Sequence, residues 1–225
     1  MNGLDDVGIL AAWASNAEPW TQAVREARIA SRREVTDQAI VDAVLACGAR
    51  EVLDLGCGEG WLARRLSQAG LRVTGVDAVA ALVESARQSG GGEFHEMSYE
   101  TLANGALPRQ FDALVANFSL LGEQSVDGLI AAVPGLLNPG GWLLIQTLHP
   151  LLACDEQHPY VDGWRDGTWA GISGGFSRPA PWYFRTLHNW CELLNRGALQ
   201  LVELREPRAD TATPPASLLL VARRA

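Results

Sequence analysis

The stretch from Glu51 to Leu66, EVLDLGCGEGWLARRL, constrains the fold more than any other part of the chain. An apolar strand runs into a turn with three glycines and leaves as an amphipathic helix. Gly56, Gly58 and Gly60 lack a Cβ, so the backbone there is free to take positive φ and to approach a small molecule closely, while the first helical N–H groups point at it. A second strand, within LRVTGVDAVAALV, ends at Asp77. A carboxylate at the carboxyl edge of a parallel sheet accepts hydrogen bonds from two ribose hydroxyls, so turn and acid together point to an adenosine-containing cofactor.

Glycine spacing narrows the choice of cofactor. A dinucleotide-binding turn reads G-x-G-x-x-G, whereas here the glycines fall as G-x-G-x-G and Trp61 stands where the last glycine would be. LDLGCGEG, then GVD, then FDALVANFSLLG, then LNPGGWLLIQ, in that order and spacing, resembles a class I S-adenosylmethionine-dependent methyltransferase over about residues 34 to 225. NAEPWTQAVREARIASRREV and WYFRTLHNWCELLNRG are similar to a bacterial branch that methylates small molecules. The resemblance implies an α/β, Rossmann-like seven-stranded sheet, mostly parallel with an antiparallel last strand, helices on both faces and an N-terminal helical cap.

Composition bounds the alternatives. A chain of 225 residues suits one domain, residues 1–225, and leaves no room for a cofactor domain plus a separate catalytic one. Its net charge of −8, with no basic run longer than an arginine pair, argues against nucleic acid as partner. No apolar run reaches membrane-spanning length and the first ten residues carry Asp5 and Asp6 and no base, so neither a membrane span nor a signal peptide is expected and the cytoplasm is the expected location. Cys47, Cys57, Cys154 and Cys191 form no CxxC pair, which argues against a disulfide framework or zinc site. His149, Cys154 and His158 lie close in sequence, but without a second ligand pair they read as separate loop and core residues, so no metal is expected. Oligomeric state is open, a homodimer included.

Periodicity and breakers give the elements. Two short helices separated at Pro19 are expected from about Asp6 to Arg28, with Trp13, Trp20 and Val24 on one face, then a helix from Thr36 to Ala46 ended by Gly48. Residues 1–48 form the cap. Strands near 51–55, 71–76, 92–96, 111–116 and 141–147 alternate with helices near 60–69, 79–88 and 125–136, which implies a parallel sheet covered on both faces. Asn138 to Gly141 reads as a turn starting the fifth strand. Glycines and prolines break every period from 149 to 181, so that stretch reads as a long loop, and 149–185 as an insertion covering the substrate or a decorative one. A helix from Thr186 to Asn195 and strands over Leu199–Leu204 and Ser217–Ala222 close the chain.

Methyl transfer from a sulfonium needs alignment and at most one proton removal, so the cofactor site is more legible than the catalytic one. Gly56, Cys57, Gly58, Gly60 and Trp61 are the expected cofactor turn, Asp77 the ribose acceptor, and Ala78 a flat surface for adenine. Asp54 by resemblance orders the turn or meets the donor's amino group. Where many relatives place an acid for the adenine amino group this chain has Ser98 and the Tyr99 backbone. Asn117 and Phe118 face the methionine part, and NFSL lacks the acid-proline-aromatic pattern of base or amide N-methylation. For the donor's carboxylate an arginine fork is the natural partner: Arg32, then Arg33, or else both are solvated helix-face charges. His149 and His188 are candidate general bases, or loop and helix-face residues. Trp182, Tyr183, Arg185 and Trp20 are the candidate acceptor residues, with Arg185 suited to a carboxylate or phosphate and Tyr183 to a hydroxyl contact or catalysis. Trp164, Trp169 and Trp190 read as packing or as a wall for a flat or cationic acceptor. The expected product is S-adenosylhomocysteine and the acceptor a small molecule methylated on oxygen or nitrogen. The competing readings are a nicotinamide oxidoreductase and a non-catalytic S-adenosylmethionine-binding regulator or partner subunit.

Overall fold

In the computed structural model, residues 3–224 are described. The glycine turn joins β1 (Glu51–Leu55) to α3 (Trp61–Gln68), and the sheet grows outward from that unit. Its other strands are β2 (Arg72–Asp77), β3 (Glu93–Glu96), β4 (Phe111–Asn117), β5 (Leu137–Thr147), β8 (Leu199–Arg205) and β9 (Leu218–Arg224). They form one seven-stranded sheet in the order β3-β2-β1-β4-β5-β9-β8. Neighbours from β3 to β5 pair parallel, while β9 runs antiparallel to both β5 and β8, as the resemblance implies. The order reverses beside β1, so the carboxyl ends of β1, β2 and β4 border the crevice where open α/β sheets bind ligands.

Each strand alternates between two buried layers, the period of two that a sheet covered on both faces requires. Leu53, Leu55, Leu114, Leu143, Ile145 and Leu220 lie on one side, under α6 (Gln124–Leu136) and α8 (Leu187–Arg196). Val52, Val115, Leu144 and Val221 lie on the other, under α2 (Asp37–Ala46), α3 and α4 (Ala80–Ser89). Asp54, Asn117, Gln146 and Ser217 continue the second set, so four polar side chains end up on the α2 side of the sheet edge.

Three expectations change. The N-terminal segment is one helix, α1 (Asp6–Arg25), running through Pro19. A proline inside a helix costs about 3 kcal/mol. Packing offsets it: Trp13 meets Trp20 edge to face at 5.0 Å across the proline, and fully buried Asn16 bonds to Ser177 N at 2.8 Å. Asn138 to Gly141 lie within β5, not before it, opposite a register shift between Phe111 and Ala113 where Asn138 donates to Asp112 at 2.8 Å. The stretch from 149 to 181 is not structureless. It holds α7 (Pro150–Ala153) and strand β6 (Gly163–Arg165), which pairs antiparallel with β7 (Trp182–Phe184). Buried Arg165 fastens it by donating to Ala153 O and Pro159 O with its guanidinium 3.7 Å from the Phe184 ring. A further short helix, α5 (Tyr99–Ala103), is too brief to show a period. A single π-helical turn, Arg32–Thr36, leads into α2. Among the described residues no helix is long and apolar enough to cross a membrane.

Candidate cofactor and acceptor site

The turn is shaped by its glycines, all at positive φ: 70° at Gly56, 56° at Gly58 and 83° at Gly60. They do different work. A Cβ on Gly60 would press on Ala86 and Phe94 at 3.0 Å, so its lack of a side chain lets α3 pack against α4 and β3. A Cβ on Gly56 would strike Ser119 and the Tyr99 hydroxyl, whereas over Gly58 the nearest atom is Trp20 Nε1 at 3.9 Å. Cys57 points inward among Leu62, Val73 and Phe94, and burial pushes its thiol up, so it contributes backbone alone. Asp77 holds the turn from below: Oδ2 accepts from Gly58 N and Oδ1 from Val79 N, both at 2.9 Å. Burial raises its carboxyl, and those two backbone bonds oppose the rise.

The remaining turn residue, Glu59, is buried with its carboxylate between Arg64 at 2.7 Å and Arg25 at 3.2 Å. Arg25 also reaches Ser85 Oγ at 2.9 Å and Ser89 Oγ at 2.6 Å, tying the end of α1 to the turn and to α4. At its other end α1 is tied to α6 by Asp6, which accepts from Ser125. A 20-residue helix is about 30 Å long, so α1 crosses the sheet edge as a strap.

Three buried polar atoms here have no partner: Arg32 Nη2, Thr36 Oγ1 and Asp54 Oδ2. Asp54 is 2 % exposed, and burial, with the Asp77 carboxylate nearby, pushes it up to about 8. Arg32 donates to Asp37 at 2.9 Å and lies over the rings of Trp61 at 4.5 Å and Trp20 at 5.8 Å. Arg33 borders the same region but is paired with Glu34 at 2.8 Å. Two adjoining cavities of about 240 and 300 Å³ open beside Arg32, both bordered by Val24, Asp37 and Arg65. Gln146 Nε2 bonds to Thr36 O at 2.9 Å and Asn117 Oδ1 at 2.6 Å, and its carbonyl accepts from Ser217 Oγ at 3.1 Å. Phe118 follows at φ +55°, a strained conformation for an aromatic residue and one that collects at functional sites.

Several expected roles move. Ser98 caps α5, accepting from Thr101 N at 3.2 Å, so its oxygen is already engaged. Tyr99 brings its side chain as well as its backbone, with its hydroxyl bonded to Ser119 O at 3.3 Å. Ala78 leads into Val79 and Leu82, which pack with Trp13 and Trp20, so Trp20 roofs the turn. Trp169 meets Trp13 at 5.6 Å and stacks on Phe176, closing the same roof from the insertion. Neither histidine is placed as a base. His149 is 5 % exposed, with Nδ1 accepting from Leu151 N and Nε2 on Glu206 at 2.9 Å, so both nitrogens are taken. His188 is 79 % exposed on α8, with Nε2 3.5 Å from Glu192. Arg185 is buried and donates through its two terminal nitrogens to Gly122 O, Glu123 O and Asp127 Oδ1 at 2.7–2.9 Å, while its Nε has no partner among the described residues. Trp182 packs on Phe184 beside Arg165, and Tyr183 on Trp164. His158 pairs with Asp155 and Cys154 lies by Arg165, so the sequence triplet with His149 does not converge.

Sequence reasoning passed over Thr36, Glu59, Ser119, Glu123 and Gln146. Only Gln146 left a signal, a polar residue ending the apolar run LLIQ.

A parallel sheet that reverses beside a glycine turn, with an acid ending the second strand and an antiparallel last strand, defines a class I methyltransferase fold. Residues 52–141 match the family model described as a methyltransferase domain. The chain is 33 % identical over 110 residues to an uncharacterised methyltransferase of Mycobacterium bovis, covering 48 % of this chain and 56 % of that one. It is 36 % identical over 110 residues to a ubiquinone biosynthesis O-methyltransferase of Xylella fastidiosa, covering 47 % and 44 %. It thus spans about half the length of the curated relatives it matches. A solved S-adenosylmethionine-dependent methyltransferase from Mesorhizobium loti shares the fold with a TM-score of 0.62 at 24 % identity, covering 81 % of this chain and 96 % of that one. Residues 52–141 thus carry a methyltransferase domain, set in a fold shared with solved S-adenosylmethionine-dependent methyltransferases.

Proposed function

We propose that this chain binds S-adenosylmethionine and transfers its methyl group to oxygen or nitrogen of a small molecule, releasing S-adenosylhomocysteine. The observation that carries the reading is the set of unpartnered buried atoms on Arg32, Thr36 and Asp54. A bare buried donor or acceptor costs about 1–3 kcal/mol. A ligand ending in an amino acid zwitterion answers all three, its ammonium meeting Asp54 and Thr36 and its carboxylate Arg32. A nicotinamide dinucleotide has no such end and would bring phosphates toward two buried acids, Asp54 and Asp77.

When bound, the cofactor supplies an activated methyl group on a sulfonium sulfur. The chain's own residues bind and enclose. Asp77, already held by Gly58 and Val79, keeps lone pairs for ribose hydroxyls. Ala78, Ser98 and the Tyr99 backbone border adenine, and Asn117 and Phe118 the methionine part. The α1 strap and the insertion, joined through Asn16 and Ser177, exclude water. In this reading residues 1–225 act as one domain, alone or as a homodimer, on a cytoplasmic small molecule and not on nucleic acid or membrane.

The test is calorimetric titration of the cofactor-stripped chain with S-adenosylmethionine, S-adenosylhomocysteine, NAD and NADP. Micromolar binding of the first two alone supports the reading. Tight NAD binding overturns it. Binding without transfer to any acceptor supports the alternative, a regulator or partner subunit.

A further inference from the structure

We propose that the acceptor is an amine, held in its protonated form by Glu123 and the Trp164 ring. This inference rests on the methyltransferase reading and deepens it. Glu123 lies five residues beyond strained Phe118, where β4 leads into α6, and the chain between them passes the glycine turn: Ser119 Oγ donates to Leu55 O at 2.5 Å. The insertion is built onto this loop. Tyr183 N donates to Leu121 O at 2.7 Å, and the Arg185 guanidinium holds the carbonyls of Gly122 and Glu123. Trp164 and Tyr183, cross-strand partners in β6 and β7, pack edge to face at 5.6 Å. Trp164 Nε1 donates to Glu123 Oε2 at 3.2 Å.

The charge balance selects the ligand. Glu123 enters none of the ion pairs among the described residues, although it is only partly exposed. Arg185, the cation packed on the Tyr183 ring at 4.9 Å, is turned to two carbonyls and to Asp127 at 2.9 Å. Asp162 adds a second negative charge beside Tyr183; burial first, then the Glu123 carboxylate, raise the Tyr183 hydroxyl. Trp164 carries no cation among the described ring contacts. A carboxylate without a cation, beside an aromatic face without one, suits an ammonium group and repels a carboxylate or phosphate. Before attack the ammonium gives one proton to the Glu123 carboxylate, leaving a neutral carboxyl and an amine with its lone pair free.

The probe is 2-phenylethylamine against 2-phenylethanol, followed by ligand-observed NMR on the full chain saturated with S-adenosylhomocysteine. The amine is expected to bind at least tenfold more tightly than the alcohol, and Glu123→Gln to abolish that preference. Trp164→Leu, expected to weaken the amine several-fold, replaces it if the first variant does not fold. Equal binding of the two probes, no amine binding, or an unchanged preference in Glu123→Gln overturns the amine proposal and leaves the cofactor reading standing. Failure of S-adenosylhomocysteine itself to bind overturns both.

Discussion

Gln146 Nε2 donates to Asn117 Oδ1 at 2.6 Å across the carboxyl ends of β5 and β4. The same nitrogen holds Thr36 O, so one buried amide ties the π-helical turn before α2 to the strand that carries Asn117. Gln146→Leu leaves these acceptors bare, at a cost of about 1–3 kcal/mol each. Affinity for S-adenosylmethionine is expected to fall at least tenfold in calorimetry, with far-ultraviolet circular dichroism unchanged. Wild-type affinity would show that the amide only fills space.

Asp77 has a simpler test. Asp77→Ala removes the carboxylate from Gly58 N and Val79 N as well as from ribose. At least tenfold weaker cofactor binding is expected, and Asp77→Asn, which keeps one acceptor oxygen, should fall between.

Asp54 gives a pH dependence. Its carboxyl is raised in the fold to about 8, so the native chain binds this proton more tightly than the unfolded chain does. Stability of the ligand-free protein is therefore whole below the unfolded value of about 4, declines as pH rises toward 8 and levels off beyond it. Asp54→Asn removes the charge, so its melting temperature at pH 8 should exceed the wild type's, by about 2–4 °C for each kcal/mol recovered. The same change should weaken S-adenosylmethionine, because the ammonium loses its anion. A variant that melts lower and binds equally well would refute both halves.

Arg185 and His188 separate structure from catalysis. Arg185→Leu strips two loop carbonyls and Asp127 of their donor, and a loss on the order of 3 kcal/mol is expected in denaturant unfolding. His188→Ala, at an exposed helix position, should change stability by less than about 0.5 kcal/mol and leave cofactor affinity untouched.

Local patterns were legible in the sequence where local physics decides. The glycine turn, the acid at Asp77 and the alternation of strands with helices depend on neighbours in the chain, and they led to the parallel sheet and to the turn that joins β1 to α3. Pro19 misled because the contacts that keep α1 whole, Trp13 on Trp20 and Asn16 on Ser177, are partly made by residues far along the chain. His149, Arg185 and Ser98 carry the right chemistry for a site, yet their hydrogen bonds go to Glu206, to the Gly122–Glu123 loop and to Thr101. Glu123 has no motif around it; its meaning comes from Trp164, placed beside it by a hairpin 41 positions later.

The sequence by itself determined the class of fold and the place of the glycine turn, because backbone freedom at glycine and the period of two in a strand are properties of short segments. Only the tertiary structure decided which polar groups are free to meet a ligand, because a side chain's availability depends on who else bonds to it, and those partners come from every part of the chain.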